Sequence, residues 1–301
     1  MEAVKTVAKS KLLRGKILFY ACIVALPLLQ FAIFYVGVNV NSFILAFQEW
    51  DGDANSYKWV ALENFKKVVV DLFIDDPQLK IAFKNSLVLF VVGVLAGSSL
   101  ALLFSYYIYK KFFAYRFFKL VLFLPCVVSS VTLAIMLLYF ATDASKAILG
   151  IELLTEKKTK LPTLIFMSVM LSFGVQVLIY SGAMSGISES ISEAALLDGI
   201  TPLKELVLIN IPMIFPTVTV FIVSSVAQTF MNQMNVFSMY GAGAPDINIY
   251  TIGYYLYTHV LGATLSDYPY YSAFGLVLTF ITVPVAFITK FLLEKFGPSV
   301  D

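Results

Sequence analysis

The 301-residue chain is 59% hydrophobic and 13% charged, with a net charge of +2 and a mean hydropathy of +0.86. Soluble domains run roughly 45–50% apolar and about 25% charged, so a chain this poor in charge could not cover its own surface in water and reads as a membrane protein. A disordered tail, a disulfide-stapled secreted module and a basic nucleic-acid binder are excluded on the same grounds, since Lys and Arg are scattered between apolar blocks.

A spanning helix needs about 20 mostly apolar residues, and six stretches qualify in chain order: Ile17–Val38, Ser86–Tyr109, Phe117–Tyr139, Leu161–Tyr180, Met213–Met231 and Ala273–Phe291. Their only charges are Lys119 and Lys290, near the ends of two of them. The first stretch is too long for a signal-peptide core and lacks a small-residue cleavage site, so it counts as a span. Pro27, Pro125, Pro162, Pro216 and Pro284 punctuate the set, and kinks of that kind are tolerated where neighbouring helices re-satisfy the freed carbonyls. The basic residues set orientation. With the N-terminus inside, twelve of them (Lys5, Lys9, Lys11, Arg14 and Lys16 among them) fall in short inner segments, against nine spread over longer outer ones. The expectation is an all-α membrane protein of six spans with both termini in the cytoplasm. Residues 1–85 would hold a basic tail, the first span and an outer loop, and residues 86–301 a five-helix core.

Within the first outer loop, Phe65, Val68, Val69, Leu72 and Phe73 recur at helical spacing around Lys66, Lys67 and Asp71. That pattern predicts an amphipathic helix, lying on the bilayer or tucked against its own loop. In the last outer loop, Gly241-Ala-Gly-Ala-Pro245 predicts a turn where the chain leaves the fifth span. Neither Cys22 nor Cys126, each inside an apolar run, nor His259, the only histidine, has the company that a disulfide, a metal site or a Ser/His/Asp triad requires.

The most unusual stretch is Ser185–Pro212, between spans four and five. It carries Glu189, Glu193, Asp198 and Glu205 against a single Lys204, contrary to the usual basic bias of inner loops. Glu193-Ala-Ala-Leu-Leu-Asp198 is a strong helix former, and Gly199 permits a tight C-terminal turn. Thr201 then suits an N-cap with Pro202 at the first helical position and Glu205 within reach of a capping box. Leu203, Leu206, Val207 and Ile209 give the second helix an apolar side, and it stops at Pro212. A helix–Gly–helix elbow protruding into the cytoplasm is a docking knob; on these physical grounds alone an ordinary inter-helix loop remains the alternative.

The residues themselves narrow the choice. Glu193-Ala194-Ala195, Asp198-Gly199, Ile209, Pro212 and Pro216 resemble the cytoplasmic EAA loop of ABC-importer permeases, with every spacing met. The departures are Ile200 where Ala is usual, Leu206 for Phe, Ile211 for Leu, and Ser188 where a Pro often precedes the motif. The resemblance runs from about Ser86 to the C-terminus. Further marks are Trp50-Asp51-Gly52, Leu62-Glu-Asn64-Phe65, Asn85-Ser86 and the Gly241–Pro245 turn, which has Ala in place of one Gly and an extra Ala before the Pro. They are similar to carbohydrate importers of the maltose and glycerol-phosphate type, and to the subunit that pairs with a second, different permease.

Several expectations follow from that resemblance. Glu193, Ala194, Ala195, Asp198, Gly199, Ile209 and Pro212 would couple the chain to two ATP-binding subunits, with Gly199 setting the elbow angle, Glu193 making a charged contact, and Ala194 and Ala195 allowing close approach. The chain lacks a Gly-x-x-x-x-Gly-Lys-Ser/Thr loop to cradle nucleotide phosphates; the resemblance therefore implies a chain that is not itself an enzyme and binds no cofactor, with ATP and Mg used by the partner ATPase. An extracytoplasmic solute-binding protein would deliver the substrate across the cytoplasmic membrane of a prokaryote.

Polar side chains inside spans are costly unless they face a cavity. Two stripes stand out: Ser168, Ser172, Gln176 and Tyr180 every four residues in span four, and Ser224, Gln228, Asn232 and Asn235 in span five and its exit. With Phe173, Phe221 and Phe230 nearby, these amides and hydroxyls suit a neutral polyhydroxyl ligand, whose hydroxyls take hydrogen bonds while its apolar faces stack on rings. The alternative use is interhelical hydrogen bonding. No charge lies mid-span, which argues against proton coupling and against a tightly held charged substrate; the alternative with weight is an ABC permease for a non-carbohydrate solute such as a polyamine, an anion or glycerol phosphate. A secondary carrier would need intramembrane acids or broken-helix repeats. A membrane enzyme would need a cluster at the interface, where Glu152 and Glu156 have no partner pattern.

Overall fold

The computed structural model describes residues 16–298 apart from Leu18; Lys5, Lys9, Lys11 and Arg14 of the expected basic tail lie outside the described residues. Among the described residues, five helices are long and apolar enough to cross a membrane: α1 (Phe19–Leu45), α3 (Pro77–Tyr109), α5 (Ser130–Leu149), α6 (Lys160–Met184) and α12 (Tyr268–Phe296). A bent pair, α8 (Pro202–Met213) and α9 (Phe215–Ala227), makes a sixth when taken as one span. Shorter elements lie between them: a hairpin of β1 (Gln48–Asp51) and β2 (Ser56–Trp59), then α2 (Glu63–Val70), α4 (Tyr115–Val127), α7 (Glu189–Leu197), α10 (Val236–Tyr240) and α11 (Ile252–Leu261).

The chain divides into two compact units, residues 1–68 with 263–276 and residues 69–262 with 277–301. In the first, every described residue from Phe19 to Asn41 is exposed, so α1 presents a cylinder that is apolar on nearly every side, interrupted by Gln30, Asn39 and Asn41, the form a helix takes when lipid is its solvent. The hairpin after it was not foreseen, because two four-residue strands carry too little alternation to register in the sequence. Its turn is closed by the Asp51 carboxylate, which accepts from the Asp53 and Ala54 amides at 3.1 and 3.2 Å. Asn64 ties α2 back to it, donating to the carbonyls of Ala46 at 3.0 Å and Gln48 at 2.7 Å. Phe47 stacks on Trp59 and packs against Phe65. Along the amphipathic stretch Val68 and Leu72 are buried, while Val69 and Phe73 stay exposed.

The second unit is a helical bundle with two apolar clusters. One gathers Leu89, Leu164, Val169, Met234, Ile249 and Tyr254 on the outer side. The other gathers Tyr106, Phe173, Val177, Tyr180, Leu206 and Val218 on the inner side. Helix α6 runs through both. Its Gly174 packs against the backbone of α4, where an added Cβ would collide with the Leu122 carbonyl. Asp76 caps α3, accepting from the Gln78 amide at 2.8 Å with Pro77 at the first position. A position between residues 85 and 86 therefore falls inside a continuous helix. Asn85 and Ser86 there hold the last outer loop: Asn85 donates to the Asn248 and Tyr250 carbonyls, both at 2.8 Å, and Ser86 accepts from the Ile252 amide at 3.0 Å.

Two expected spans are interrupted. Phe117–Tyr139 is not one helix: after Pro125 the backbone turns extended at Val128 and Ser129, and α5 starts afresh at Ser130. The β-branched and serine residues at the break are weak helix formers, unable to carry the ladder past a proline that donates nothing to it. Met213–Met231 is broken twice. Pro212 and Pro216 flank a 77° bend at Ile214, and α9 then ends at Ala227 after 13 residues. At about 1.5 Å per residue that is roughly 20 Å, short of the about 30 Å hydrocarbon core.

Candidate functional site

The elbow between α6 and α9 forms as two helices around a glycine. α7 ends in a Schellman turn: Gly199 adopts φ +69°, its amide donates to the Leu196 carbonyl at 3.1 Å, and the Ile200 amide donates to the Ala195 carbonyl at 3.1 Å. Thr201 takes the N-cap position of α8 with Pro202 following, but its side chain caps nothing, and no capping box closes with Glu205. Leu196, Leu197, Leu203 and Leu208 project outward, with Leu197 89% exposed. Glu193, Ala194, Asp198 and Gly199 are exposed beside them, and Ile209 and Pro212 are half-buried. Ala195 is different: it is 4% exposed, so its small size serves packing within this chain.

Glu205 lies four residues after Thr201, one too many for a capping box, and it is used elsewhere. Its carboxylate is buried and accepts from Lys110 Nζ at 2.6 Å, Tyr106 OH at 2.8 Å and Ser192 Oγ at 2.9 Å. Burial pushes this carboxyl up, but the bonds from Lys110, Tyr106 and Ser192 outweigh it and hold the group below the usual carboxylate range. Sequence reasoning missed Lys110, Tyr106 and Ser192 as elbow residues. The one available signal was the acidic excess of Ser185–Pro212 facing the Lys110-Lys111 pair at the end of span two.

Midway along α6, between the two apolar clusters, lies a cavity of about 480 Å³, within the size range of small-ligand sites. Six of the eight stripe residues line it: Ser168, Ser172, Gln176, Ser224, Gln228 and Asn232. Phe90, Phe221, Ser225, Thr229 and Gly93 of the π-turn Gly93–Gly97 line it as well, with aliphatic side chains such as Leu89 and Val220 between them, and no lining side chain is charged. Gln176 Oε1 is buried there without a hydrogen-bond partner.

Tyr180 and Asn235 do not reach this space. A four-residue repeat drifts about 40° per step on a 3.6-residue helix, so by Tyr180 the stripe has turned into the inner core, where that ring is fully buried edge-on to Phe221. The second stripe is not helical beyond Gln228, since α9 has ended. Asn232 stays at the cavity because it organises the following turn, accepting from the Met234 amide at 2.8 Å, whereas Asn235, at φ +56°, serves as N-cap of α10. Of the three rings named from the sequence, Phe221 lines the cavity, Phe173 belongs to the inner core and Phe230 stacks on Phe83. The non-helical stretch 228–235 is the kind of backbone tolerated at membrane depth only where it lines a cavity or is buried in protein.

Above the cavity, Gly241 turns the chain at φ +63°, but after α10 rather than at the exit of span five. The Asp246 carboxylate pairs with Lys160 at 3.3 Å and accepts from the Asn248 amide at 2.9 Å. Burial raises its pKa; the Asn248 and Lys160 bonds more than offset this and hold it below the ordinary Asp value.

Comparison with known proteins agrees with this arrangement. The description "Binding-protein-dependent transport system inner membrane component" matches residues 90–301. The chain is 21% identical over 278 residues to the multiple sugar-binding transport system permease protein of Streptococcus mutans, covering 89% of this chain and 92% of that one. It is 23% identical over 300 residues to the diacetylchitobiose uptake system permease protein of Streptomyces coelicolor (92% and 83%). It is also 26% identical over 255 residues to the galactooligosaccharides transport system permease protein of Bacillus subtilis (78% and 59%). A chain of a bacterial ABC transporter that imports the acidic polysaccharide alginate shares the fold, with a TM-score of 0.76 at 20% identity over 95% of this chain and 98% of that one. The inner-membrane spans, the cytoplasmic elbow and the matched region agree: the chain belongs to the family of binding-protein-dependent transport system inner membrane components, the multi-pass permeases of ABC importers.

Proposed function

We propose that the chain moves a neutral sugar or oligosaccharide inward across the cytoplasmic membrane through the cavity between α3, α6 and α9. The observation that carries this reading is the cavity wall, which offers amides, hydroxyls and the Phe90 and Phe221 rings but no charge, with the Gln176 carbonyl oxygen left unpartnered. A buried acceptor without a partner costs about 1–3 kcal/mol, and a ligand hydroxyl donating to it recovers that cost on binding. The relatives' names supply the carbohydrate class: multiple sugars, galactooligosaccharides and diacetylchitobiose. Alginate import by the protein of like fold extends the class to acidic polysaccharides, for which this uncharged wall is poorly suited.

The remaining machinery lies in other polypeptides. A second homologous permease completes the pathway, and two ATP-binding subunits, using ATP and Mg, dock on the elbow. An extracytoplasmic solute-binding protein delivers the sugar; a complex with an alginate pentasaccharide-bound periplasmic protein is known for the transporter of like fold. In this reading Ser172, Gln176, Ser224, Gln228 and Asn232 contact the passing solute, while Glu193, Asp198 and Gly199 present the elbow to the ATPase.

The test is purification of the chain from its own membranes in mild detergent, followed by a ligand screen on the binding protein that comes with it. Recovery of a second permease, an ATP-binding subunit and a binding protein that takes neutral saccharides is the expected result. A binding protein selective for a polyamine, a phosphate ester or another anion would overturn the carbohydrate reading, and a chain recovered alone would overturn the docking one.

A further inference from the structure

The covalent path from the elbow to the cavity runs through the 77° bend into α9. A second, non-covalent path is also present. Glu205, in the first turn of α8, meets Lys110 at the cytoplasmic end of α3, and α3 is a cavity wall through Leu89, Phe90, Gly93 and Val94. Ser192 of α7 joins the same cluster, donating to Glu205 at 2.9 Å and lying 3.3 Å from both Tyr109 OH and Lys110 Nζ. Lys110 Nζ also sits over the Tyr106 and Tyr109 rings, 5.9 and 5.7 Å from their centroids. Three segments thus converge on one carboxylate.

We propose that the Glu205–Lys110 pair is a latch that transmits elbow movement to α3, making Glu205 and Lys110 positioning residues for transport. The elbow also reaches the inner cluster through Leu206, which packs there with Tyr106, but its outer part is thinly held. Ala195 is the one buried side chain of α7, and Glu205 the one buried side chain of the turn Pro202–Glu205. Apolar contact does not fix direction, whereas three donors on two carboxylate oxygens fix both distance and angle, and a fully satisfied buried polar network holds a single arrangement. A push on the outward leucines therefore reaches α3 as well as α9, and the two cavity walls move together. The latch rests on the reading of the elbow as the ATPase contact.

The experiment uses the complete importer, reconstituted in vesicles, and reads solute imported per ATP hydrolysed. Lys110→Met alone leaves the buried carboxylate without its cation, so the informative variant is the double Lys110→Met/Glu205→Leu, made in a Tyr106→Phe background so that no buried hydroxyl is left without its acceptor. With the latch removed, import per ATP falls about tenfold relative to Tyr106→Phe alone, within the usual span of coupling energies, while the amount of assembled importer stays the same. An unchanged ratio overturns the latch. Should the double variant not assemble, Glu205→Gln, which keeps size and shape, is read on the same ratio with the same two outcomes. Cross-linking from Leu197→Cys to the ATP-binding subunit, with Cys22 and Cys126 replaced by serine, separates the underlying reading. No cross-link overturns the elbow contact itself, whereas a cross-link with an unchanged ratio in the double variant overturns only the latch.

Discussion

Replacing Gly199 isolates the contribution of backbone conformation to the elbow. The residue closes the Schellman turn at φ +69°, and no heavy atom lies within 4 Å of where a Cβ would stand. Substitution therefore meets no steric block within the chain, and its cost is that of the left-handed conformation alone. That cost is about 1–2 kcal/mol for an ordinary L-residue, smaller for Asn, and larger for a β-branched side chain. With about 1.4 kcal/mol per factor of ten, Gly199→Ala lowers the equilibrium constant for the native elbow roughly five- to thirty-fold, and Gly199→Val lowers it further. The assay is solute uptake normalised to the amount of chain in the membrane, which stays near wild type because the spans are untouched. Uptake is expected to fall in the order Gly, Asn, Ala, Val, with Val abolishing it. If Asn falls below Ala, or all three variants match wild type, backbone geometry is not what Gly199 supplies and the reasoning fails.

Three further outcomes follow from geometry already described. Asn85→Ala leaves the Asn248 and Tyr250 carbonyls without their donor, costing about 1–3 kcal/mol, and protease sensitivity of the last outer loop in intact vesicles should rise. Gly174→Leu drives a side chain into the Leu122 carbonyl, an overpacking penalty of about 1–3 kcal/mol or more, read as a lowered melting temperature in detergent. Asp246 titrates below its ordinary value in the folded chain, so its contribution is complete above that value and is lost as pH falls through the lower folded one. Asp246→Asn should accordingly melt below wild type at neutral pH, with the gap closing only under strongly acidic conditions; a gap independent of pH would refute the pairing.

The parts legible in the sequence were those set by local chemistry. Apolar runs longer than a bilayer is thick marked α1, α3, α6 and α12, and the helix–Gly–helix pattern marked the elbow down to the left-handed Gly199. Illegible were the features decided by contacts distant in sequence. Glu205 stands one position beyond the third helical residue that a capping box uses, and a lysine 95 positions earlier holds its carboxylate. Ala195 matched the motif but faces inward. The stripe ending at Asn235 assumed a helix that stops at Ala227, because the sequence alone does not reveal where a cavity relieves the chain of the need to stay helical.

α1 carries a consequence for how the protein is made. It is long and apolar enough to cross a membrane by itself, and its backbone bonds are internal, so the bilayer suffices to hold the helix. Such a segment can settle in the bilayer as soon as it is synthesised, before α3 or α6 exists. The bundle of α3, α6 and α9 has no such independence, since its cavity, its bend and its buried carboxylate take their final form only when all three are present. Biogenesis then divides into an anchoring event early in translation and an assembly event late in it, and lesions in the two halves should surface at different stages: failed insertion for α1, turnover after insertion for the bundle.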